Sequence, residues 1–416
     1  MAEESPVHKY KNFDVEIIKD GLSYRARVLS SPGGEGYCKF DKSPIQPASL
    51  KKFADDILIR SARARRVDEP DAATAKQLGE KLYSAIFKDD VLNCYVRSMQ
   101  KCLDTEGLRI RLRFESCPEL MNIPWELLYD RHNNNFLGMA LRTPIIRYLE
   151  LGEQIGPLVV KDRLEVLVVM AEPKGVPPLQ IRAEFKNLKK ALAELEAVGR
   201  VRITELKNAS IDSLQEILNT KVFHVVHFIG HGIFDNTKKR GVLLFKGPDG
   251  GRKDVSGETL GIVLQHRRIR LVVINSCEGA KTHASDAFSG VAQSLVQKGV
   301  PAVVAMQFSI SDDAALAFSR AFYRSLAEGA PVDRAMINAR QKIVFAENWL
   351  EWATPVLYLR SESGDLFEFR SGQDSVATRT SAGRNVTAPR ASAAKRPTNS
   401  PTSDLPGPAL SAGPPQ

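Results

Sequence analysis

Two side chains of this 416-residue sequence, His231 and Cys277, have the type and setting that covalent chemistry requires. Each follows a short apolar run and lies next to a glycine or other small residues, in the phrases Val222-Phe-His-Val-Val-His-Phe-Ile-Gly-His-Gly232 and Leu271-Val-Val-Ile-Asn-Ser-Cys-Glu-Gly279. A thiol attacks carbon as the thiolate, and a neighbouring imidazole lowers the pKa of the thiol. The pair therefore predicts a cysteine nucleophile with a histidine partner.

The two apolar runs are rich in β-branched residues and too short for a stable helix, so both predict buried strands. Around them strands predicted at 164–170 and 201–206 alternate with helices predicted at 183–198 and 211–218. Such alternation is typical of right-handed crossovers in a parallel sheet with helices on both faces. Chemistry in these sheets takes place at the carboxyl ends of the strands, so we expect His231 and Cys277 to meet there.

Beyond Cys277 the pattern predicts a helix over 284–298, a strand over 301–306, helices over 314–326 and 332–345, and a strand over 355–359 that closes the sheet. The helix that begins shortly after Cys277 would lower the pKa of the thiol further. Between the two strands that carry His231 and Cys277, a small hairpin and one crossover helix are expected. These strands should therefore be near neighbours.

The first part of the chain has a different pattern. Residues 13–29 alternate apolar and polar around Asp20-Gly21, which predicts an edge hairpin with a type I′ turn. Helical spacing runs from 47 to about 104, and the alternation of 108–114 predicts a strand with one basic, solvent-facing side. Trp125 is interpreted as a packing anchor. The predicted regions are an amino-terminal β-hairpin region (1–46), a mixed half (47–156), a catalytic α/β domain (157–370) and a Ser/Thr/Pro/Ala-rich disordered tail (371–416).

The phrases around His231 and Cys277 resemble the CHAT-domain family, bacterial relatives of caspases and separases. The two residues lie 46 positions apart, close to the separation of about 50 in caspase-type peptidases, and the order is the same. Similar phrases at 123–130, 144–149 and 299–307 extend the resemblance over roughly residues 75 to 368. It implies a caspase-like (caspase–hemoglobinase) α/β fold, a mostly parallel sheet with helices on both faces, preceded by an α+β amino-terminal half.

The resemblance also implies a cysteine endopeptidase in which His231 and Cys277 form a catalytic dyad. The backbone amides of Gly232 and Cys277 would stabilise the oxyanion of the tetrahedral intermediate. Relatives that cut after basic residues use an acidic group in the first substrate pocket, and Asp286, Asp312 or Asp313 would supply it here. The alternative for Asp312 and Asp313 is that they favour a helix start after Ser311. Asn275 departs from the Asp that some of these relatives have at its position.

Composition limits the other functions. The formal charge of +9 is spread along the chain, with one short basic run at 60–66, so no nucleic-acid partner is indicated. Five cysteines without a CxxC pair indicate a reducing cytoplasm, and neither an export signal nor a membrane span is predicted. No cofactor or metal is predicted. His224 and His227 would face opposite sides of a strand, and His227 and His231 would lie about 13 Å apart along it, which disfavours a zinc site.

Two functions of different class remain open. The first is a peptidase that makes limited cuts in a protein partner, in bacterial defence or signalling, under the control of a regulatory or sensor protein. The second is a catalytically silent caspase-like scaffold. Taken singly, Cys277 is readily explained as a small buried apolar residue and His231 as a hydrogen-bonded structural one. Their combined spacing, order and flanking glycines favour the peptidase.

Overall fold

The computed structural model describes residues 9–61, 69–152, 155–265, 267–275, 284–346 and 350–369. The tail predicted at 371–416 and the boundary residues 153–154 lie outside these ranges. The elements of the amino-terminal part are, in chain order, β1 (Lys9–Asp20), β2 (Ser23–Ser30), β3 (Gly36–Phe40), α1 (Pro47–Ser61), α2 (Glu69–Ile86), α3 (Asp89–Gln100), β4 (Glu106–Arg113), β5 (Tyr129–Asp130), β6 (Asn135–Phe136) and β7 (Ile145–Tyr148). Short 3₁₀ turns at Pro118–Leu120, Trp125–Leu127 and Leu137–Met139 lie between β4 and β7.

The second part of the chain contains the predicted alternation of strands and helices. Its elements are β8 (Leu158–Val160), β9 (Leu164–Met170), α4 (Ile181–Ala197), β10 (Val201–Leu206), α5 (Ile211–Thr220), β11 (Val225–Ile229), β12 (Gly232–Asp235), β13 (Arg240–Lys246), β14 (Arg252–Ser256), α6 (Gly257–Leu264), β15 (Leu271–Asn275), α7 (Ala284–Gln297), β16 (Ala302–Met306), α8 (Asp312–Ala327), α9 (Val332–Phe345), β17 (Pro355–Leu359) and β18 (Phe367–Phe369). None of the described helices is long and apolar enough to cross a membrane.

One sheet of eleven strands runs through both parts, in the order β10-β9-β11-β15-β16-β17-β7-β4-β1-β2-β3. The first five strands in this order, β10, β9, β11, β15 and β16, are parallel to one another. Alternate residues of β11 face opposite layers: Val225 and Ile229 pack in the core that contains α4, α8 and α9, and Val226 packs in the core that contains α5, α6 and α7. The mostly parallel α/β sheet with helices on both faces, preceded by an α+β region, is confirmed.

The strand at 355–359 does not close the sheet as expected. β17 pairs antiparallel with β16 on one side and parallel with β7 on the other, so it lies in the middle of the sheet. The amino-terminal strands continue the sheet beyond it. The sequence of β17 alone could not show this, since a fully buried apolar strand has the same composition whether it has one partner or two.

The amino-terminal hairpin also differs from the prediction. Asp20 pairs with Ser23, so the two loop residues are Gly21 and Leu22, one position later than expected. Gly21 has a φ of +64° whereas Leu22 is not among the residues with positive φ, and this combination fits a type II′ turn better than a type I′ turn. The hairpin is not at the edge of the sheet, because β1 pairs with β4 and β3 adds a further strand beside β2.

The predicted solvent-facing side of β4 is wrong. Arg109, Arg111 and Arg113 are each at most 9% exposed. Their guanidinium groups pair with Asp333, Asp14 and Glu150, which lie in three other segments of the chain. Arg111 also stacks on the ring of Tyr148, at 4.0 Å from its centroid. Buried guanidinium groups require such partners, and alternation along one strand cannot reveal them.

Trp125 is the packing anchor that the sequence predicts. Its side chain is fully buried and stacks on Phe114, with 5.5 Å between ring centroids. The indole Nε1 donates a hydrogen bond to the Leu120 carbonyl at 2.9 Å. This contact satisfies the polar atom of the ring and leaves its apolar surface to the core.

Candidate functional site

The two strands that lead to the predicted dyad are direct neighbours. β11 and β15 pair in parallel, with Ile229 opposite Asn275 at their carboxyl ends. His231 follows Ile229 by two residues, and Cys277 follows Asn275 by two. Cys277 lies outside the described residues, so the structure establishes the strand ends and the histidine but not the position of the thiol.

His231 lies in the turn between β11 and β12 and is 7% exposed. Its Nε2 is 2.8 Å from the carbonyl oxygen of Pro177. A carbonyl can only accept, so Nε2 must carry the proton and Nδ1 keeps its lone pair. Burial lowers the pKa of His231, although the Pro177 contact acts in the opposite direction. Burial therefore favours the neutral form of the imidazole, in which Nδ1 is the proton acceptor.

Pro177 belongs to the loop between β9 and α4, which lines a cavity of about 610 Å³ beside His231. The loop is tied to the β13–β14 turn, because the Lys174 amide donates to the Gly250 carbonyl at 3.0 Å. That turn closes at Gly250, whose φ of +81° is one that glycine adopts without strain. The segment between β11 and β15 thus helps to hold the carbonyl that orients the histidine.

Gly232 begins β12, an edge strand of the three-stranded sheet β12-β13-β14. The Leu244 amide donates to the His231 carbonyl at 2.9 Å, while Gly232 pairs with Leu243. Hydrogen-bonded and non-hydrogen-bonded positions alternate in an antiparallel pair. Gly232 therefore takes the non-hydrogen-bonded position, and its amide points away from β13.

Gly232 also has no room for a side chain. An added Cβ would lie 2.6 Å from the ring of Phe288, which is fully buried on α7. We expect Gly232→Ala to lower the free energy of unfolding by about 1–3 kcal/mol, as overpacking does in cores. Phe288→Leu in the same chain should recover part of that loss.

Urea unfolding of the single and double variants measures this coupling, with Gly156→Ala as the matched control. No atom lies within 4 Å of the Cβ position of Gly156. A Gly232→Ala protein as stable as the wild type would show that β12 and α7 are not held in this contact.

Asn275, the last residue of β15, has a partner that the sequence did not indicate. Its side chain is 8% exposed, and Nδ2 donates to Glu184 Oε2 at 3.3 Å. Glu184 lies in the first turn of α4 and is half-buried. The Oδ1 of Asn275 is buried and finds no hydrogen-bond partner within the described ranges. The carboxylate of α4 therefore contacts the side-chain amide of β15, and this amide belongs to the residue two positions before Cys277.

The acidic residues predicted for the substrate pocket lie in the helices α7 and α8. Asp286 is in α7, but its side chain lies outside what the structure describes. Asp312 and Asp313 are exposed in the first turn of α8, where Ser311 accepts from the Ala314 amide at 3.3 Å as the N-cap. Neither lines the cavity beside His231. This placement fits the helix-start interpretation, and their role in substrate binding stays a prediction.

His224 and His227, which lie just before β11 and within it, each have a hydrogen-bond partner of their own. His224 Nδ1 accepts from the Glu165 amide at 3.2 Å, and burial beside Arg268 and Arg270 lowers its pKa to about 4. His227 Nδ1 is 2.8 Å from the Tyr323 hydroxyl, and burial lowers the pKa of this imidazole to about 3. No group of three potential metal ligands occurs among the described residues.

The four described cysteines, Cys38, Cys94, Cys102 and Cys117, are free thiols and are buried. Burial raises the pKa of each of them, to about 11 for Cys38. These thiols are therefore protonated at neutral pH and shielded from reagents. They should react with alkylating reagents more slowly than an exposed thiolate.

The chain is thus an α/β protein of mostly parallel topology, with a cavity beside His231 at the carboxyl ends of its strands. The family model described as CHAT domain matches residues 73–360, well over half of the sequence. The chain belongs to the CHAT-domain family. No curated protein matches it.

Several solved structures are similar to the chain. Two structures of the Saccharomyces cerevisiae separase–securin complex match with TM-scores of 0.49 and 0.37 and identities of 11% and 13%. They cover 87% and 78% of this chain but only 30% and 23% of theirs, so the chain spans less than a third of those proteins. The complex of the pro- and mature domains of Porphyromonas gingivalis RgpB matches with a TM-score of 0.36 and 10% identity, over 76% of this chain and 77% of that chain.

Proposed function

We propose that this protein is a cysteine endopeptidase in which His231 and Cys277 form the catalytic dyad. The observation that carries the proposal is the imidazole of His231, held at Nε2 by the Pro177 carbonyl, after the end of β11, the strand that pairs with β15, which leads to Cys277. Limited cuts in a partner protein, within bacterial defence or signalling and under a regulatory or sensor protein, are the role that we propose for it. The cytoplasm is the proposed location, in keeping with the free thiols.

In the proposed reaction, Nδ1 of His231 accepts the proton of the Cys277 thiol. The thiolate then adds to the carbonyl carbon of the scissile peptide bond, and the oxygen becomes an oxyanion. The Pro177 carbonyl stabilises the imidazolium, because it accepts the hydrogen bond of the Nε2 proton. The dyad thus needs no carboxylate to orient its base.

The oxyanion would be stabilised by the amides of Gly232 and Cys277. The orientation of the Gly232 amide, away from β13, supports this role because an amide engaged in the sheet could not donate to substrate. When the intermediate collapses, the C–N bond breaks and the leaving amine takes the proton from His231. Water then hydrolyses the thioester, with the same imidazole as the base.

Alkylation of the thiols tests the proposal. At neutral pH iodoacetamide should modify Cys277 faster than any of the four buried cysteines, and His231→Ala should slow its modification by roughly tenfold or more, since an unassisted thiol with a pKa of about 8.5 is only a few per cent ionised. Mass-spectrometric mapping of a time course gives the rate at each cysteine. His132→Ala, which changes an exposed histidine, is the matched control.

Equal rates for Cys277 in the wild type and in His231→Ala would contradict the dyad. That result would favour the second candidate, a catalytically silent caspase-like scaffold. The experiment requires no knowledge of the natural substrate.

A further inference from the structure

Two arginines and a histidine lie together at the amino-terminal ends of two central strands. His224 directly precedes β11, Arg270 directly precedes β15, and the Arg270 amide donates to the His224 carbonyl at 2.9 Å. These two residues are therefore in register on paired parallel strands, about 4.8 Å apart, and their side chains point to the same side of the sheet. Arg268 lies close enough for its charge, like that of Arg270, to act on the histidine ring. We call His224, Arg268 and Arg270 the basic cluster.

His224 contributes a hydrogen-bond donor that finds no acceptor. Its Nδ1 accepts from the Glu165 amide at 3.2 Å, so the proton of the neutral ring is on Nε2. The side chain is only 7% exposed and packs beside the ring of Phe367 on β18, at 6.4 Å between centroids. No described residue accepts a hydrogen bond from Nε2. A ligand that accepts this proton would remove the cost of leaving a buried donor unsatisfied.

The two arginines also have donors to spare. Arg268 Nη2 donates to the Val159 carbonyl on β8 at 3.0 Å, which positions its guanidinium. The guanidinium of Arg270 has no acceptor among the residues that the structure describes, although its Nε is buried. Burial and the charge of Arg268 lower the pKa of Arg270. Buried polar groups in folded proteins are normally satisfied, by protein, by water or by a bound ion.

The charge of the basic cluster is not balanced by the acidic residue of the same row. Glu165 is in register with His224 on β9, but its carboxylate pairs with Arg163 at 3.1 Å and with Arg202 at 3.8 Å. Arg202 lies on β10, on the far side of β9 from β11. Within the described ranges Arg268 and Arg270 have no ion-pair partner. The basic cluster thus presents two positive charges without a counter-ion.

The number of charges and donors selects the ligand. A phosphate group carries close to two negative charges at pH 7 and several strong acceptor oxygens, so it can balance two guanidinium groups and accept from an imidazole as well. Guanidinium groups also match the geometry of phosphate with paired N–H donors. A single carboxylate has one charge and two oxygens, and it would leave one arginine without a counter-charge.

We propose that His224, Arg268 and Arg270 form a binding site for phosphate, either the free ion or the phosphate group of a small molecule. The bound group accepts from His224 Nε2 and from both guanidinium groups, and it joins the amino-terminal ends of β11 and β15. These are the strands that lead to His231 and Cys277, so the ligand stabilises their pairing from the opposite end. Seven residues of mostly extended chain separate His224 from His231, roughly 20 Å. The proposal does not depend on the peptidase function.

Binding and thermal unfolding of the full chain in a phosphate-free buffer test the proposal. The probes are inorganic phosphate, glycerol 3-phosphate and succinate, each at about 10 mM and at equal ionic strength. Succinate supplies two negative charges as carboxylates. We expect the two phosphate compounds to raise the midpoint of thermal unfolding by about 2–4 °C and succinate to leave it within error. Isothermal titration calorimetry gives the dissociation constants.

Arg270→Gln should weaken the binding of phosphate by roughly tenfold or more, the size of a hydrogen bond to a charged group. Without phosphate this variant should unfold at the wild-type temperature or above it, because it removes a half-buried charge that has no counter-ion. Arg268→Gln changes an exposed side chain and gives a second test of binding if Arg270→Gln does not fold. Arg200→Gln is the matched control, since it removes an exposed arginine just before β10, at the same end of the sheet, and it should bind phosphate as the wild type does.

The two phosphate compounds distinguish the source of the ligand. Tighter binding of glycerol 3-phosphate indicates a phosphorylated small molecule, whereas binding of inorganic phosphate alone indicates the free ion, and both results support the site. The proposal is overturned if the wild type binds neither compound, or if succinate stabilises it as much as phosphate does. It also fails if phosphate binds equally well after Arg270→Gln or Arg268→Gln, or if Arg200→Gln weakens binding as much as they do.

Discussion

Replacing Cys277 by alanine should abolish peptide cleavage, because the four cysteines that the structure describes are buried and burial raises the pKa of each thiol. We expect His231→Ala to lower kcat/KM by roughly 10²- to 10⁴-fold, the usual contribution of a positioned general base. The loss should be smaller than that of Cys277→Ala, since a thiol remains able to ionise without its partner. Quenched fluorescent peptides that vary in the residue before the scissile bond measure the effect.

The control for this prediction is Cys102→Ala, which removes a buried thiol whose Sγ contacts the Gly107 carbonyl. This variant should cleave peptides as the wild type does. If Cys277→Ala kept measurable activity while Cys102→Ala lost it, the nucleophile would have been assigned to the wrong cysteine. If His231→Ala cleaved at the wild-type rate, the imidazole would have no part in the reaction.

The second large effect is expected at a buried ion pair where the two parts of the sheet meet. Arg147 on β7 donates to Glu126 Oε2 and to Gln307 Oε1, each at 3.1 Å, and Gln307 in turn donates to Glu126 at 2.9 Å. Both charged residues are at most 1% exposed. Burial would lower the pKa of Arg147, but Glu126 and the Tyr358 hydroxyl, through charge and hydrogen bonds, together outweigh it and the pKa is raised. The guanidinium is therefore charged, and its counter-ion is Glu126.

We expect Glu126→Gln to lower the free energy of unfolding by about 3–5 kcal/mol, because it leaves a buried guanidinium without a counter-charge. The replaced side chain keeps its size, so packing changes little. Replacing both partners, as Glu126→Leu with Arg147→Met, should cost less than Glu126→Gln, since neither charge of the pair is then left without the other. Urea unfolding followed by circular dichroism measures all three proteins.

An exposed pair gives the comparison for this prediction. Glu194→Gln breaks the surface contact with Arg324, where solvent screens both charges, and should leave the urea midpoint within error. A Glu126→Gln protein that unfolds at the same urea concentration as Glu194→Gln would contradict the assigned role. The network would then satisfy the hydrogen-bonding groups of these side chains but add little to the free energy of unfolding.

The sequence by itself determined the elements whose signal is local. The strands at 164–170 and 201–206 have the predicted bounds, and the helices predicted at 183–198 and 284–298 are found within two residues of them. The reason is that a strand buried on both faces is an apolar run, and a covering helix shows its 3.6-residue period, whatever the rest of the chain does. The family also followed from local phrases, since the glycines, His231 and Cys277 lie in two short stretches of the sequence.

The tertiary structure alone decided which distant groups meet. Asp333 neutralises Arg109 from 224 residues away, so a strand that reads as half exposed is buried. Pro177 orients His231 across 54 residues through a backbone oxygen, which every residue type possesses and no sequence pattern marks. Glu184 reaches Asn275 across 91 residues. Whether a charged group is buried, and which acceptor a donor finds, depends on which distant segments pack together. Local periodicity carries no information about that packing.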